Sequence, residues 1–237
     1  MAHVPVAEML SKDRAAARAR LIDMRKANCS VPPGELSSIA SAQGRDTIYL
    51  TTVDRDGNMV SLIQSNFSGF GSGVVPDGVG FMLHNRGALF TLAPGQPNTL
   101  APRKRPLHTI IPGFMQKGDT RLSFGIMGGW NQAQAHAQFV SDIADFGLTP
   151  QEALEAGRFT KGTFDGCDVQ IEGLVPEATR IALTALGHEL KVEPRRTGIF
   201  GFGQAILATP DGVHFGASEP RHDGAAIPEA PDVFGGR

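Results

Sequence analysis

The chain has 237 residues, of which 41% are hydrophobic, and a formal net charge of −2. This size and charge balance fit one globular domain and exclude the strongly basic surface typical of a nucleic-acid-binding protein. No apolar run approaches the roughly 20 residues of a membrane span. The first residues lack the pattern of a signal peptide, so we expect a cytoplasmic location, or a periplasmic one if a signal precedes this part of the protein.

The two cysteines, Cys29 and Cys167, are too few for a disulfide framework in a chain of this length. One bridge between them is possible, but the sequence favours two small buried side chains or unreactive thiols. No Cys and His spacing matches a zinc site, and the acidic turn at 54–58 lacks the closing glutamate of a calcium loop, because Ser65 stands there. The sequence therefore predicts no metal and no cofactor.

The first 46 residues differ from the rest of the chain. Residues 6–26 are rich in Ala, Arg, Leu and Met and predict a helix. Residues 28–45 combine Pro32-Pro33-Gly34 with many serines, a composition typical of a flexible linker. The expected organisation is a helix and linker at 1–46, followed by one domain at 47–237.

Strand patterns dominate from residue 47. Segments 47–53 and 59–65 flank an Asp-Gly turn and predict a hairpin, and segments 108–115 and 121–126 predict a second one. Between the hairpins we expect a glycine-rich loop at 69–80, a short strand at 79–84 and an irregular proline-rich loop at 89–106.

Helices are predicted in the second half of the chain. Gly128-Gly129 opens a helix that ends before Gly147, and the capping box at 149–152 opens a short one. The remaining predicted elements are a helix at 176–186 and strands at 169–171, 189–192, 204–208 and 213–217. Strands, then helices, then strands predict an α+β layered fold, and two packed antiparallel sheets with outer helices fit this order.

Five segments occur in the order and approximate spacing of one family: 53–58 (VDRDGN), 70–73 (FGSG), 104–107 (KRPL), 128–129 (GG) and 217–221 (ASEPR). On these segments the chain resembles the γ-glutamyltranspeptidase family of N-terminal-nucleophile hydrolases. The match covers nearly all of 47–237, the catalytic small subunit, and 1–46 resemble the tail of the large subunit. The resemblance implies an αββα sandwich, a heterodimer with the large subunit of the same precursor, and a small-molecule amide substrate.

The resemblance also implies a cleavage site and a nucleophile. The precursor would cut itself between Asp46 and Thr47, and the new N-terminal threonine would attack the substrate. Its α-amine, with a pKa of about 7.7–8, can take the hydroxyl proton. Ser65 stands where the family has a hydroxyl that bonds the nucleophile, and the N–H groups of Gly128 and Gly129 would form the oxyanion hole. On spacing alone, Thr47 is better explained as a β-branched residue that begins a strand, and the five matching segments reverse that preference.

The substrate-binding segments depart from the family pattern. Where transpeptidases have paired aspartates, one of which holds the substrate's α-amino group, this chain has Leu89. The family's paired hydroxyls beside the oxyanion region are here His108 and Thr109, and only the threonine keeps the hydroxyl. Arg86, next to Asn85, is able to pair with a substrate carboxylate or to form a structural salt bridge.

These departures resemble the acylase and amidohydrolase branches and imply a dicarboxylic half-amide of the glutaryl or oxamate type. Hydrolysis and acyl transfer both stay open. The alternative hypothesis is a truncated or non-catalytic homologue that needs the missing large subunit to fold and mature. A reading frame for that subunit directly upstream would favour the enzyme.

Overall fold

The structure is a computed structural model that describes residues 4–31, 46–163 and 165–228. Its α-helices are α1 Val6–Met9, α2 Lys12–Ala19, α3 Gln132–Ala144, α4 Pro150–Glu155 and α5 Glu177–Ala185. Its strands are β1 Asp46–Val53, β2 Met59–Phe67, β3 Gly113–Lys117, β4 Thr120–Met127, β5 Phe159–Thr160, β6 Asp168–Glu172, β7 Glu189–Glu193, β8 Phe202–Ala208 and β9 His214–Ser218. Single 3-10 turns lie at Arg86–Leu89, Gly129–Asn131 and Gly198–Phe200.

The strands form three sheets. β1 and β2 make an antiparallel pair, and β3-β4-β8-β9 make a four-stranded antiparallel sheet. The predicted α+β class and both predicted hairpins are confirmed. The third sheet, β5-β6-β7, was not predicted, and β6 and β7 run parallel because α5 crosses between them. Within the described ranges, no helix combines the length and apolar character needed to cross a bilayer.

The four-stranded sheet lies between the helices on one face and the β1–β2 sheet on the other. Successive side chains of β4 point alternately to these two layers. Phe124 points towards the helices and stacks on Phe139 of α3 with ring centroids 5.0 Å apart. Ser123 points the other way and hydrogen-bonds Tyr49 of β1. At Gly125 a Cβ atom would collide with the Tyr49 ring, so glycine lets the two sheets approach. The apolar core therefore sits between β4, β8 and the helices.

Side-chain amides on α3 fasten the edge strand β5. The Gln138 amide donates to the Phe159 carbonyl at 2.9 Å and accepts the Phe159 N–H at 3.0 Å. The Gln134 amide makes the same two bonds with Lys161, at 3.0 and 2.9 Å. Each side-chain amide gives β5 and the residue after it one donor and one acceptor, as a peptide group of a neighbouring strand would.

The predicted capping box of α4 is confirmed. The Thr149 hydroxyl accepts the Glu152 N–H at 3.3 Å, and the Glu152 carboxylate accepts the Thr149 N–H at 2.8 Å. Gln151, also in the first turn, makes two hydrogen bonds with the backbone of Ser218. Its side-chain amide donates to the Ser218 carbonyl at 3.1 Å and accepts the Ser218 N–H at 2.9 Å. Capping and this pair together hold α4 against the end of β9.

The prediction of one helix at 6–26 was wrong. The chain forms two short helices, because Ser11 is the N-cap of α2: its hydroxyl accepts the Arg14 N–H at 3.4 Å. The interpretation of Cys29 and Cys167 as two separate, unreactive side chains was also wrong, because the two residues form a disulfide. Most of the predicted linker falls outside the described residues, and the boundary at 46/47 stays a prediction.

The strand predicted at 79–84 was also wrong, because this segment belongs to a loop. The Asn85 amide ties the loop together: it donates to the carbonyls of Ser68 and Gly71 at 2.8 and 3.0 Å and accepts the Ser68 N–H at 3.1 Å. Since one side chain satisfies these backbone groups, the loop needs no sheet partner.

Candidate active site

Thr47 lies at the head of β1 beside an irregularity in the β1–β2 ladder. Asp46 pairs with Phe67 and Thr47 with Ser65, so Asn66 is an extra residue on β2. Phe67 has a φ of 79°, in the left-handed region that side chains rarely adopt. Bulges bend a strand and re-aim its side chains, and such strained positions cluster at active sites. The bond predicted to be cut on β1 therefore lies opposite the bulge on β2.

The Thr47 side chain is buried and held in one orientation. Its hydroxyl donates a hydrogen bond to Ser65 Oγ at 2.9 Å. Ser65 Oγ also accepts the Phe67 N–H at 2.8 Å, so the bulge positions Ser65 as well. The structure thus brings together two of the predicted site residues, in the contact that the family resemblance implies.

Thr47 and Ser65 line a cavity of about 1060 Å³. Much of its wall is apolar, and its other lining side chains include Phe70, Phe81, Met127, Phe202, His84 and His222. Met127 is the last residue of β4, so the glycine pair that follows begins at the edge of this cavity. An apolar cavity with a few polar groups at one point is typical of a small-molecule site.

The glycine pair forms the connection from β4 to α3. Gly128 and Gly129 have φ values of 151° and 60°, both of which favour glycine. Gly128 also packs on Gly201, where a Cβ on Gly128 would come within 3.1 Å of the Gly201 Cα. A helix start offers free N–H groups and the positive end of the helix dipole. The predicted helix start is confirmed, and the oxyanion hole stays a prediction.

A buried cluster of four charged side chains lies behind the glycine pair. Arg158 pairs with Glu219 at 2.9 Å, and Arg221 pairs with Glu172 at 2.5 Å and with Glu219 at 2.6 Å. These side chains are at most 3% exposed. Burial lowers the pKa of Arg158. Burial also acts to lower the pKa of Arg221, but its contacts with Glu172 and Glu219 outweigh it and raise that pKa.

The cluster connects to the glycine pair through the backbone. The Arg158 guanidinium donates to the carbonyl of Gly201 at 3.0 Å, and Gly201 is the residue against which Gly128 packs. The motif at 217–221 therefore supplies a support for the glycine pair. Sequence reasoning missed Arg158 and Glu172, because nothing in their local sequence marks them as partners of a distant motif.

A buried histidine also supports this strand. His136 of α3 accepts the Ile126 N–H at Nε2 with a distance of 2.8 Å. Burial lowers the pKa of His136 to about 4, and the nearby charge of Arg158 adds to the effect. The imidazole is therefore neutral at pH 7 and acts as a fixed acceptor two residues before the glycine pair.

The predicted substrate-binding residues fall into a covered group and an exposed one. Arg86 is 1% exposed, and it donates to the Thr109 hydroxyl at 3.0 Å and lies over the Phe67 ring at 4.9 Å. Asn85 is engaged in holding its own loop. His108 is exposed and lies edge-on to His84 with ring centroids 5.8 Å apart. Arg86, Asn85, Thr109 and His108 are thus neighbours, but none of them is among the residues that line the cavity.

The charge of Arg86 is unusual for its burial. Its Nη2 atom has no hydrogen-bond partner, and it forms no ion pair in the part of the chain that the structure describes. Burial lowers its pKa. A buried guanidinium without a carboxylate is costly, so an anion placed here would stabilise it.

Sequence reasoning missed two histidines of the cavity wall, His84 and His222. His84 Nδ1 accepts the Arg86 N–H at 3.2 Å, which leaves the proton of the neutral ring on Nε2. His222 pairs with Asp223 and lies against the Phe202 ring at 4.4 Å. Each directly adjoins a segment that the sequence had singled out, 85–90 or 217–221, and that adjacency was the available signal.

Several buried polar groups directly after the glycine pair have no partner among the described residues. They are Trp130 Nε1 and the side-chain amides of Asn131 and Gln132. Asn131 is 7% exposed and Gln132 is fully buried. Because buried polar groups are nearly always hydrogen-bonded, this region lacks groups that complete it.

A threonine at the head of a strand, bonded to a hydroxyl and close to a glycine-rich helix start, is the arrangement of an N-terminal-nucleophile hydrolase. Residues 1–229 match the family described as gamma-glutamyltranspeptidase, and the chain belongs to this family.

Similar curated proteins are proenzymes. The glutathione hydrolase-like YwrD proenzyme of Bacillus subtilis is 35% identical over 215 residues, which cover 88% of this chain and 41% of that protein. The oxamate amidohydrolase proenzyme of Klebsiella pneumoniae is 36% identical over 185 residues, which cover 76% of this chain and 35% of that protein. The chain thus spans about two fifths of the length of these relatives.

Solved structures agree with the family and the fold. The cephalosporin acylase of Bacillus halodurans is 43% identical with a TM-score of 0.79, and the match covers 94% of this chain and 39% of that one. A mutant gamma-glutamyltranspeptidase of Pseudomonas nitroreducens is 26% identical with a TM-score of 0.64. That match covers 77% of this chain and 99% of the solved chain.

Proposed function

We propose that this chain is the distal part of a proenzyme that cuts itself between Asp46 and Thr47, and that the released Thr47 hydrolyses or transfers the acyl group of a small amide. One observation carries the proposal: Thr47 stands at a bulge on a cavity wall with its hydroxyl 2.9 Å from Ser65. The relatives support it, since they are named proenzymes and extend well beyond this chain.

The cleavage step uses the Thr47 hydroxyl on its own peptide bond. The oxygen attacks the carbonyl carbon of Asp46, and the hydroxyl proton passes to the nitrogen of Thr47 as the C–N bond breaks. The resulting ester is hydrolysed by water, which leaves a carboxylate on Asp46 and a free amine on Thr47. The bulge on the opposite strand orients the nucleophile for this step, since the Phe67 N–H holds Ser65 Oγ, which in turn accepts the Thr47 hydroxyl proton.

Turnover uses the amine that cleavage creates. The neutral amine takes the hydroxyl proton while the Thr47 oxygen attacks the substrate carbonyl, and the proton then goes to the leaving amine. The N–H groups of Gly128 and Gly129 stabilise the oxyanion, and one such donor contributes roughly 2.7–4 kcal/mol in enzymes of this chemistry. Water or an acceptor amine then releases the acyl group from Thr47.

The partner is the large subunit of the same precursor, which we place on the outer face of the β1–β2 sheet. This face carries Ile48, Leu50, Val60 and Leu62, with exposed fractions of 61%, 40%, 50% and 44%. Apolar sheet faces are normally covered by another layer, and a contiguous exposed patch of this kind marks an interface.

For the acyl group we propose the half-amide of a dicarboxylic acid. Leu89 cannot bind an ammonium group, whereas the buried guanidinium of Arg86 has a free donor at Nη2. Oxamate, the substrate in the name of one relative, is itself such a half-amide. Because the Arg86 side chain is covered, a carboxylate reaches it only if the 3-10 turn Arg86–Leu89 moves aside. His84 already lines the cavity and offers a hydrogen-bond donor to the carboxylate without such a movement.

Intact-mass measurement of the full precursor tests the proposal. We expect wild type to yield two products cut between Asp46 and Thr47, Thr47→Ser to be cut as well, and Thr47→Ala to stay whole and inactive. The serine variant is the matched control because it keeps the hydroxyl. Turnover by Thr47→Ala would remove Thr47 from the mechanism, and an uncut wild type would favour the non-catalytic homologue.

A further inference from the structure

The segment before the predicted cleavage bond is attached to the main domain at a distant point in the sequence. Ala27 is buried, and its N–H donates to the carbonyl of Leu186, just after α5, at 2.7 Å. Two residues further on, Cys29 meets Cys167, with a Cα–Cα distance of 4.6 Å. This distance lies in the range of about 4.4–6.8 Å that disulfides require.

The position of Cys167 is fixed independently of the bridge. Its carbonyl accepts the N–H of Glu189 at 2.9 Å, one residue before the parallel β6–β7 ladder begins with the Asp168–Glu189 pair. Both cysteines therefore sit next to backbone hydrogen bonds, one to the end of α5 and one to the start of β7.

We propose that the Cys29–Cys167 disulfide is an interchain bond of the mature protein. The cysteines are 138 residues apart in sequence, and the bond between Asp46 and Thr47 lies between them. The inference rests on the proposed cleavage, because only hydrolysis of that bond places the two cysteines on different chains. After cleavage the disulfide is the covalent connection that remains between the N-terminal segment and the chain that begins at Thr47.

The bond forms by exchange with an external disulfide. The two thiols lose two electrons to a disulfide oxidant, such as that of a thiol oxidoreductase or oxidised glutathione, and their two protons end on the thiols of the reduced oxidant. Cys29 and Cys167 are both partly exposed, so an exchange partner can reach them. Disulfides persist in oxidising compartments and are reduced in the cytosol. We therefore expect the two chains of the mature protein to stay covalently joined in an oxidising compartment and to lose this bond in a reducing one.

Peptide mapping tests the bridge apart from the cleavage. The full precursor is denatured in N-ethylmaleimide, which blocks free thiols, and is then digested with trypsin without reductant. Cys29 falls in the peptide 27–45 and Cys167 in the peptide 162–180. We expect these two peptides to be recovered as one disulfide-linked species that separates on reduction.

Intact mass on the same sample, with and without reductant, reports the cleavage. We expect cut wild type to stay one species, heavier by one water than the mass calculated for the uncut wild-type sequence, and to separate only after reduction. In Cys29→Ser the cut products should separate without reductant, and Cys167→Ser provides the matched second variant in case one substitution impairs folding.

The possible results separate the two proposals. Recovery of both peptides in alkylated form would overturn the bridge whether or not the chain is cut. A linked peptide in a chain that stays uncut would uphold the bridge but defeat the proposed cleavage, and with it the interchain role. Cut wild type whose products separate without reductant would leave the proposed function standing and overturn the interchain bond.

Discussion

Two groups of buried polar side chains differ in how completely they are paired. The Arg158, Glu172, Glu219 and Arg221 side chains are all paired with one another. Arg86 Nη2 and the side-chain amides of Asn131 and Gln132 have no partner in the described ranges. The first group is therefore complete within the described part of the chain, whereas the second contains buried polar atoms without hydrogen bonds.

The contrast has an energetic basis. A buried charge costs several kcal/mol in lost hydration, and only close partners and further hydrogen bonds offset that cost. In the cluster, Glu219 accepts bonds from two arginines and from the Gly203 N–H at 3.0 Å. The unpartnered groups have no such compensation, so we expect substitutions in the two regions to affect different properties, namely stability in one and substrate selection in the other.

The largest effect on stability is expected for Glu219→Gln. The change keeps the size of the side chain but leaves Arg158 and Arg221 short of one negative charge, and breaking a buried ion pair costs roughly 3–5 kcal/mol. Urea unfolding of the precursor measures this loss. Because the cluster holds Gly201 under Gly128, we also expect slower cleavage.

The control is Asp168→Asn, which breaks an exposed ion pair with Lys161 at 2.8 Å. Solvent screens such pairs, so this change should leave stability almost unaffected. Equal losses in the two variants would mean that burial does not distinguish the cluster from the surface, and the comparison would fail.

An effect of intermediate size is expected when the pH is lowered, because acid reduces the stability that the neutral His136 side chain contributes. Its folded pKa is about 4 against 6.5 for the ordinary group. As pH falls below 6.5, the unfolded chain binds a proton that the folded chain refuses, so the stability is full above that pH and is lost towards pH 4. The total loss over this window is about 3 kcal/mol.

His136→Gln removes this titration while keeping an acceptor for the Ile126 N–H. We expect the difference in the free energy of unfolding between wild type and variant to change across pH 4 to 6.5 and to be flat above it. The exposed His214→Gln variant controls for the loss of a histidine as such. Parallel pH curves for wild type and His136→Gln would contradict the assigned role of burial.

The smallest effect is expected for Arg86→Gln, and it falls on substrate choice. Hydrogen bonds to charged groups contribute about 1.5–3 kcal/mol, so kcat/KM for a glutaryl amide should fall roughly 10- to 150-fold. A pentanoyl amide of equal length, which lacks the carboxylate, should be unaffected, and Arg86→Lys should retain part of the preference. Equal losses on both substrates would assign Arg86 a structural role.

Local signals predicted much of the fold. The Asp-Gly turn at 54–58, the glycine start of α3 and the capping box at Thr149 all act through neighbours in sequence, and all were confirmed. The loop at 68–85 was missed in part, because one amide, that of Asn85, replaces the sheet partner that a strand prediction assumes.

The candidate site divides in the same way. The pairing of Thr47 with Ser65 follows from hairpin register, which the turn sets locally. The ion cluster and the disulfide join residues far apart in the chain, and a single sequence carries no local mark of such pairs. The cavity position of His84 depends on how its loop folds back, which the pattern of residue types does not encode.

The amide pairs between α3 and β5 set a limit on the length of the strand that they hold. Residues four apart on a helix are about 6.0 Å apart along its axis, while residues two apart on a strand are about 6.6 Å apart. Gln134 and Gln138 can therefore both meet the backbone of β5, but a third glutamine one turn further would be displaced by about 1.2 Å. The spacings of helix and strand therefore diverge with length, and in this chain the two amide pairs are made over the short segment from Phe159 to Lys161, where the divergence is still small.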